Sequence, residues 1–300
     1  MLLEQVEYVR PRSLVEALEI LAREEGAAPL AGGQSLTNVL KNRVASVDLL
    51  VDISALDELA GITRKSDGGL SIGACVTYDE LDHSVDVRAS HWLLGEVASH
   101  IEDQQIRNKG TIGGNCCLSD PTNNLPPLLV ALDAVMELRS LSGQRSVPSA
   151  EFFKGYFATA LEPGELLVSI GVPPLPARAG AGYASLTVGA DAKAMVRAAA
   201  RVTLDADEGT ITDSRLVLAR VAHVPVRDTD IEARLNGADA SEEAVRAACA
   251  GVADGMQPIA DVHGSSEYRR QVAKVMAVRA LTQAIAAARS SGNGSSTGGK

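Results

Sequence analysis

The chain has 300 residues, 46% of them apolar and 22% charged, the make-up of a globular protein with a sizeable core rather than a disordered or fibrous one. Its 28 basic and 38 acidic residues give a formal net charge of −10, and without a Lys/Arg block this disfavours attraction to a nucleic-acid backbone or an anionic membrane. One Trp, five Tyr and three Phe are too few for the stacking platforms of single-strand binders, so no nucleic acid is expected.

Residues 1–7 lack the basic and apolar regions of a signal peptide, and no apolar run approaches about 18 residues. No membrane span and a cytoplasmic location are expected. Cys75, Cys116, Cys117 and Cys249 form no Cys-x-x-Cys pair, which argues against a zinc site or a disulfide framework; no metal ligand is assigned. Cys116 and Cys117 read as packing residues.

In chain order, Ser13 to Glu25 carries Leu14, Ala17, Leu18 and Leu21 at helical spacing, with Ser13 placed to cap. Ala27 to Ala31 reads as a strand, Ser35 to Asn42 as a brief helix and Val47 to Ile53 as a buried strand, together a small parallel βαβ unit. A short strand over Leu70 to Gly73 and a turn of helix begun by Thr77 follow. Helical spacing returns from Ala89 to Gln104, then come apolar Leu125 to Leu138, a turn at Gly143 and a strand over Leu166 to Val172. Pro173 to Pro176, with Gly180 and Gly182, is the clearest break in composition. Beyond it, strands over Ala194 to Leu204 and Ile211 to Val221 flank a turn at Asp205 to Gly209. Helices are expected over Ser241 to Gly251 and Glu267 to Arg289, and a disordered Ser/Gly-rich tail after them.

Two glycine segments carry the chemistry. Ala31-Gly32-Gly33-Gln34-Ser35 lies between a strand and a helix start, where a backbone without Cβ atoms can approach a ligand and a helix N-terminus favours an anion. The plain alternative is a strand-to-helix turn. Thr111-Ile112-Gly113-Gly114-Asn115 repeats the pattern after Ile106-Arg107-Asn108-Lys109-Gly110. Two such segments suit a pyrophosphate, and neither matches the simplest Rossmann or P-loop fingerprint.

These two motifs, with weaker agreement at Ser119-Asp120-Pro121, Phe152 to Tyr156, Glu165 to Ile170 and Tyr268-Arg269-Arg270, resemble the FAD-binding medium subunit of the molybdenum hydroxylases, the group of carbon monoxide dehydrogenase and xanthine dehydrogenase. The resemblance covers roughly residues 1–287. It implies an α+β chain: a two-part PCMH-type (VAO-like) FAD-binding domain over 1–175, with a small βαβ part (1–55) and a larger α+β part (56–175). A C-terminal α+β domain over 176–288 would follow, with a three-stranded antiparallel sheet and helices, and a disordered tail over 289–300. FAD would lie between the two parts of its domain.

The site residues the resemblance implies are Pro29, Leu30, Ala31, Gly32, Gly33, Gln34, Ser35, Leu36, Ile101, Ile106, Gly110, Thr111, Ile112, Gly113, Gly114, Asn115, Ser119, Asp120, Asn124, Leu167 and Lys193. Asn124 stands where the family often has Asp, and Ser185 where members often have Lys or Arg, so Lys193 is the candidate for a compensating charge. No catalytic residue is expected, since electron transfer through a flavin needs no general acid or base. The implied partners are a large subunit with molybdopterin cytosine dinucleotide and a small subunit with two 2Fe–2S clusters, in a dimer of heterotrimers that delivers electrons to an external acceptor. Two other readings are a scaffold of the same fold that has lost FAD, and a self-sufficient flavin reductase of related fold.

Overall fold

The computed structural model describes residues 4–187 and 193–293. They divide into two units, Met1–Ser119 with Ala134–Val172, and Asp120–Asp133 with Pro173–Lys300.

The first unit opens with β1 (Glu7–Val9), α1 (Leu14–Arg23), β2 (Ala27–Leu30), α2 (Leu36–Lys41) and β3 (Leu49–Asp52). The three strands form a parallel sheet in the order β1-β3-β2. Strand β1, only three residues long, is too short to show a period in sequence. Ser13 caps α1 as expected, its side chain accepting the Glu16 N–H at 3.2 Å. Leu14 and Leu18 of α1 pack with Val51, Ile53, Leu56, Leu59 and Val168 into one apolar cluster.

Next come β4 (Ile62–Arg64), β5 (Leu70–Gly73), α3 (Tyr78–His83), α4 (Val85–Ser90), α5 (Trp92–Ser99), α6 (Gln104–Arg107) and α7 (Ile112–Leu118). Thr77 and Glu80 form a full capping box at α3. The single helix expected over Ala89 to Gln104 is in fact interrupted. His91 leaves helical geometry at φ −139°, ψ 50°, and Glu102 turns the chain at φ +44°. After α8 (Leu125–Ala131), the chain runs through β6 (Val135–Ser140), β7 (Gly143–Pro148), α9 (Ser149–Phe152), β8 (Phe153–Gly155), β9 (Ala158–Thr159) and β10 (Leu166–Val172). Five of these strands make an antiparallel sheet in the order β4-β5-β10-β6-β7.

The second unit holds α8, β11 (Ala179–Leu186), β12 (Val196–Leu204), β13 (Ile211–Ala219), β14 (Val226–Arg227), α10 (Thr229–Leu235), α11 (Glu242–Ala248) and α12 (Ser266–Asn293). Three long antiparallel strands are present, and the two-residue β14 adds a fourth. Gly180 and Gly182 are not part of a break. They sit within β11 on the face covered by α12, where added Cβ atoms would stand 2.3 Å from the Ala284 carbonyl oxygen and 2.0 Å from that of Ala280. Strand glycines of this kind mark close backbone approach. The alanines of α12 serve the same contact: Ala273, Ala277, Ala280, Ala284 and Ala288 are buried with Val196, Ala198, Ala200 and Val202 of β12. The helix also outlasts the expected tail boundary at 289, where Arg289 donates to the Ala240 carbonyl at 2.8 Å and Ser291 to the Ala179 carbonyl of β11 at 3.3 Å. Residues 294–300 lie outside the described residues.

The start of α12 is fixed by charge. Arg269, 1% exposed, donates to the Met195 carbonyl at 2.7 Å and pairs with Asp261 at 2.6 Å, while Arg220 meets the other Asp261 oxygen at 2.9 Å. Burial raises the Asp261 carboxyl, but the His263 N–H and the two guanidiniums outweigh it and hold the group at about 2, below its ordinary 3.8. A folded-state value below the unfolded one stabilises the fold above the unfolded value, and the gain is lost as pH falls through the folded value. The difference in melting temperature between wild type and Asp261→Asn is therefore expected to be full above pH 4 and to shrink from pH 4 to about 2, as calorimetry would read. A gap that holds constant across that window would contradict the assignment.

Candidate functional site

The first glycine segment leaves β2 at Leu30 and turns into α2. Gly33 takes φ +68°, a left-handed conformation that glycine adopts without steric cost. The chain then closes on itself, Thr37 N–H donating to the Gly33 carbonyl at 3.1 Å and Val39 N–H to that of Ser35 at 3.0 Å. The N–H groups of Gly33, Gln34, Ser35 and Leu36 have no acceptor among the described residues. Ser35 stands at the cap position, but its hydroxyl makes no capping bond. The segment thus presents unused donors at the positive end of a helix, which suits an anion.

The second segment is built differently. Thr111 caps α7, so Gly113 and Gly114 lie in the first turn of a helix rather than in a loop. Their donors are already engaged: Ile112 N–H bonds the Val76 carbonyl at 2.9 Å, Gly113 N–H the Ala74 carbonyl at 2.9 Å, and Gly114 N–H the Thr111 hydroxyl at 3.0 Å. The expectation that both segments offer free donors to phosphate is corrected for this one. Its glycines serve close packing instead, since a Cβ on Gly113 would stand 2.5 Å from the Ala74 oxygen, and one on Gly110 2.5 Å from the Tyr78 ring. Asn115 is buried, its amide donating to the Tyr78 hydroxyl at 3.0 Å.

The two segments meet directly. A Cβ on Gly32 would lie 1.9 Å from the Lys109 carbonyl oxygen and 3.0 Å from Gly110 Cα, so only glycine permits this backbone contact. Around it, Ile106 accepts the Gly110 N–H at 2.6 Å. Ile101 is buried, its carbonyl and that of Glu102 held by Arg107 at 3.2 and 2.7 Å. Ser119 ends α7 at φ +50° and bonds the Gly155 carbonyl at 2.9 Å. Leu167 is buried in β10 opposite Leu138, beside a bulge at Val168 whose carbonyl takes the Ala74 N–H at 3.0 Å. Pro29, Leu30, Ala31 and Leu36 flank the first segment.

Asp120, Asn124 and Lys193 belong to the second unit. One Asp120 oxygen accepts both the N–H and the hydroxyl of Thr122 at 2.7 Å, and the other accepts Lys193 at 3.1 Å. Burial raises the Asp120 carboxyl, but the Thr122 bonds and the Lys193 charge prevail and hold it below the usual carboxylate value. The Lys193 ammonium is thus engaged by Asp120. The Asn124 side-chain oxygen accepts from Arg197 at 2.8 Å and its carbonyl from the Tyr183 hydroxyl at 2.9 Å. Burial pushes that hydroxyl up to about 12, although the Arg197 guanidinium pulls the other way.

Tyr183 is the aromatic two residues before Ser185 in the resemblance, whereas Arg197 stands in a small-residue strand without a motif around it and was not singled out from sequence. The one available signal was the inward Arg of the Val196-Arg197-Ala198 run. Register places Arg197 directly opposite Ser185 on the neighbouring strand.

Comparison with known proteins identifies the family. Residues 4–175 match the model described as FAD binding domain in molybdopterin dehydrogenase, and residues 182–284 the CO dehydrogenase flavoprotein C-terminal domain. The chain is 36% identical over 284 residues to the 6-hydroxypseudooxynicotine dehydrogenase complex subunit alpha of Paenarthrobacter nicotinovorans, covering 94% of this chain and 95% of that one. It is also 36% identical to the carbon monoxide dehydrogenase medium chain of Afipia carboxidovorans, over 94% and 98% of the two chains. Among solved structures, the carbon monoxide dehydrogenase of Hydrogenophaga pseudoflava superposes with a TM-score of 0.91 at 36% identity, covering 95% of this chain and 99% of that one.

Proposed function

Because the chain belongs to the family of FAD-binding medium subunits of molybdenum hydroxylases, we propose that it is the electron-transfer subunit of such a complex, passing electrons from 2Fe–2S clusters of a small subunit through FAD to an external acceptor. The substrate is oxidised, in this reading, at the molybdopterin cytosine dinucleotide of a large subunit, and the assembly is a dimer of heterotrimers in the cytoplasm. The observation that carries the reading is the row of unengaged N–H groups from Gly33 to Leu36, beside the backbone contact of Gly32 with Lys109.

These residues fit an anionic dinucleotide. The segment from Pro29 to Leu36 is assigned to the pyrophosphate, its N–H groups giving up water for phosphate oxygens at the positive end of α2. Ile106 and the stretch from Gly110 to Asn115 form the wall against which that segment is held, with Ile101 and Leu167 as apolar neighbours. Ser119, Asp120 and Asn124 are assigned to the flavin end, with Lys193 acting through Asp120. FAD supplies the redox chemistry when bound. The chain binds it, orients it and surrounds it with fixed dipoles, and no side chain is required to move a proton.

Affinity purification of the tagged chain from the cells that make it, with flavin, iron and molybdenum quantified, tests the assignment. Stoichiometric FAD accompanied by iron and molybdenum on two further subunits is the expected result. A chain that carries FAD but never iron or molybdenum would instead indicate a self-sufficient flavin reductase, and one that carries none of the three a scaffold.

A further inference from the structure

Arg197 and Arg201 lie four residues apart on β12, on the face turned away from α12, since Val196, Ala198, Ala200 and Val202 occupy the other. Both are nine-tenths buried, at 5% and 8% exposure. Their partners differ in kind. Arg201 is neutralised twice, by Asp133 at 2.9 Å and Asp213 at 3.0 Å. Arg197 has only neutral acceptors, the Thr122 carbonyl at 2.6 Å, the Asn124 side-chain oxygen at 2.8 Å and the Tyr183 hydroxyl, and no carboxylate pairs with it among the described residues. Its Nε is buried without a partner among them. The neighbouring Tyr183 is held in its neutral form by burial and brings no counter-charge.

A buried guanidinium without an anion is costly, and this one grips the turn that carries Asp120 and Asn124. We propose that Arg197 is a positioning residue of the flavin site. It fixes the Asp120–Asn124 turn through Thr122 and Asn124, and no carboxylate among the described residues takes up its charge. The inference rests on the FAD-binding reading of Asn124. With Arg197 in place the turn is rigid before the ligand arrives, so its ordering is not charged against binding. The cation also favours the more negative, reduced form of a nearby flavin.

The test uses the full chain with FAD as the probe, comparing wild type, Arg197→Met, Arg197→Gln, Arg197→Lys and Arg201→Met. FAD dissociation constant, flavin midpoint potential and melting temperature without FAD are the readouts. Arg197→Met and Arg197→Gln are expected to weaken FAD binding about tenfold or more, the scale of a lost charge-assisted bond, and to shift the potential negative. Arg197→Lys should bring the potential back towards wild type, while affinity recovers only in part because one ammonium cannot span the Thr122 and Asn124 acceptors. Arg201→Met should lower the melting temperature and leave affinity and potential unchanged. Should both neutral Arg197 variants bind FAD as wild type does, or should Arg201→Met reproduce their losses, the proposal fails and Arg197 is a structural residue only. Should wild type itself take up no FAD, the flavin reading fails first and the inference falls with it.

Discussion

Replacing Gly32 with alanine is expected to abolish FAD retention and to destabilise the first unit by about 1–3 kcal/mol, the cost of overpacking where the neighbours are backbone and cannot rotate away. The new Cβ would stand 1.9 Å from the Lys109 oxygen and 2.7 Å from its carbonyl carbon, so one segment must slide off the other. That slide carries the unengaged donors of Gly33 to Leu36 away from the wall formed by Gly110 and α7. Gly33→Ala is the informative comparison. Its nearest contacts would be flexible side-chain atoms, Leu30 Cδ1 at 3.2 Å and Thr37 Oγ1 at 3.3 Å, and its penalty comes from φ +68°, about 1–2 kcal/mol. FAD titration of both variants, with melting temperatures beside it, separates contact from conformation. If Gly32→Ala binds FAD as tightly as wild type, the contact between the two segments has no part in the site.

A larger loss of stability is expected at Gly182. An alanine there would place its Cβ 2.0 Å from the Ala280 oxygen and 2.7 Å from the Ala284 nitrogen, and one at Gly180 would stand 2.3 Å from the Ala284 oxygen and the Ala288 nitrogen. Helix α12 would have to lift from β11 and give up the contact made by Ala277, Ala280, Ala284 and Ala288. We expect Gly182→Ala to cost about 3 kcal/mol and Gly182→Val at least 4, the range reserved for disruption of a packed core. Denaturant melts would show a lower midpoint, and limited proteolysis would cut first in the second unit. Wild-type stability in Gly182→Val would mean that the close seating of α12 on β11 is not what holds this sheet.

What could be read from sequence and what could not divide along the range of the interactions. Local signals were accurate: the Ser13 cap, the Thr77 capping turn and the hairpin at Asp205 to Gly209 each depend on residues within a few positions of one another. Signals that depend on a distant surface failed. Gly180 and Gly182 looked like breakers because nothing nearby announces the helix a hundred residues on that needs them bare. The same applies to residues 120–133, which pack as α8 on β12 and β13 and are anchored through Asp133 to Arg201 and Arg215. The donor roles within the second glycine motif were misread for a related reason: the acceptors that occupy its N–H groups, the carbonyls of Ala74 and Val76, come from another part of the chain.

The charge pattern around Asn124 follows the same logic. Read along the sequence, position 185 carries Ser and no cation, and across the sheet Arg197 stands opposite it. Linear spacing cannot show a cross-strand neighbour, whereas register fixes it. Lys193, which sequence offered as a replacement, is bound to Asp120 at 3.1 Å.

The central claim is that this chain itself holds a dinucleotide flavin on the Gly32–Gly33 segment. The most direct test is the absorbance spectrum of the purified full chain, desalted after incubation with FAD and, in parallel, with FMN. Retention of the flavin bands with FAD and not with FMN is the predicted result, because only FAD brings the pyrophosphate that the donors of Gly33 to Leu36 are placed to meet. Equal retention of both flavins, or of neither by the chain and by its purified complex, would contradict the account.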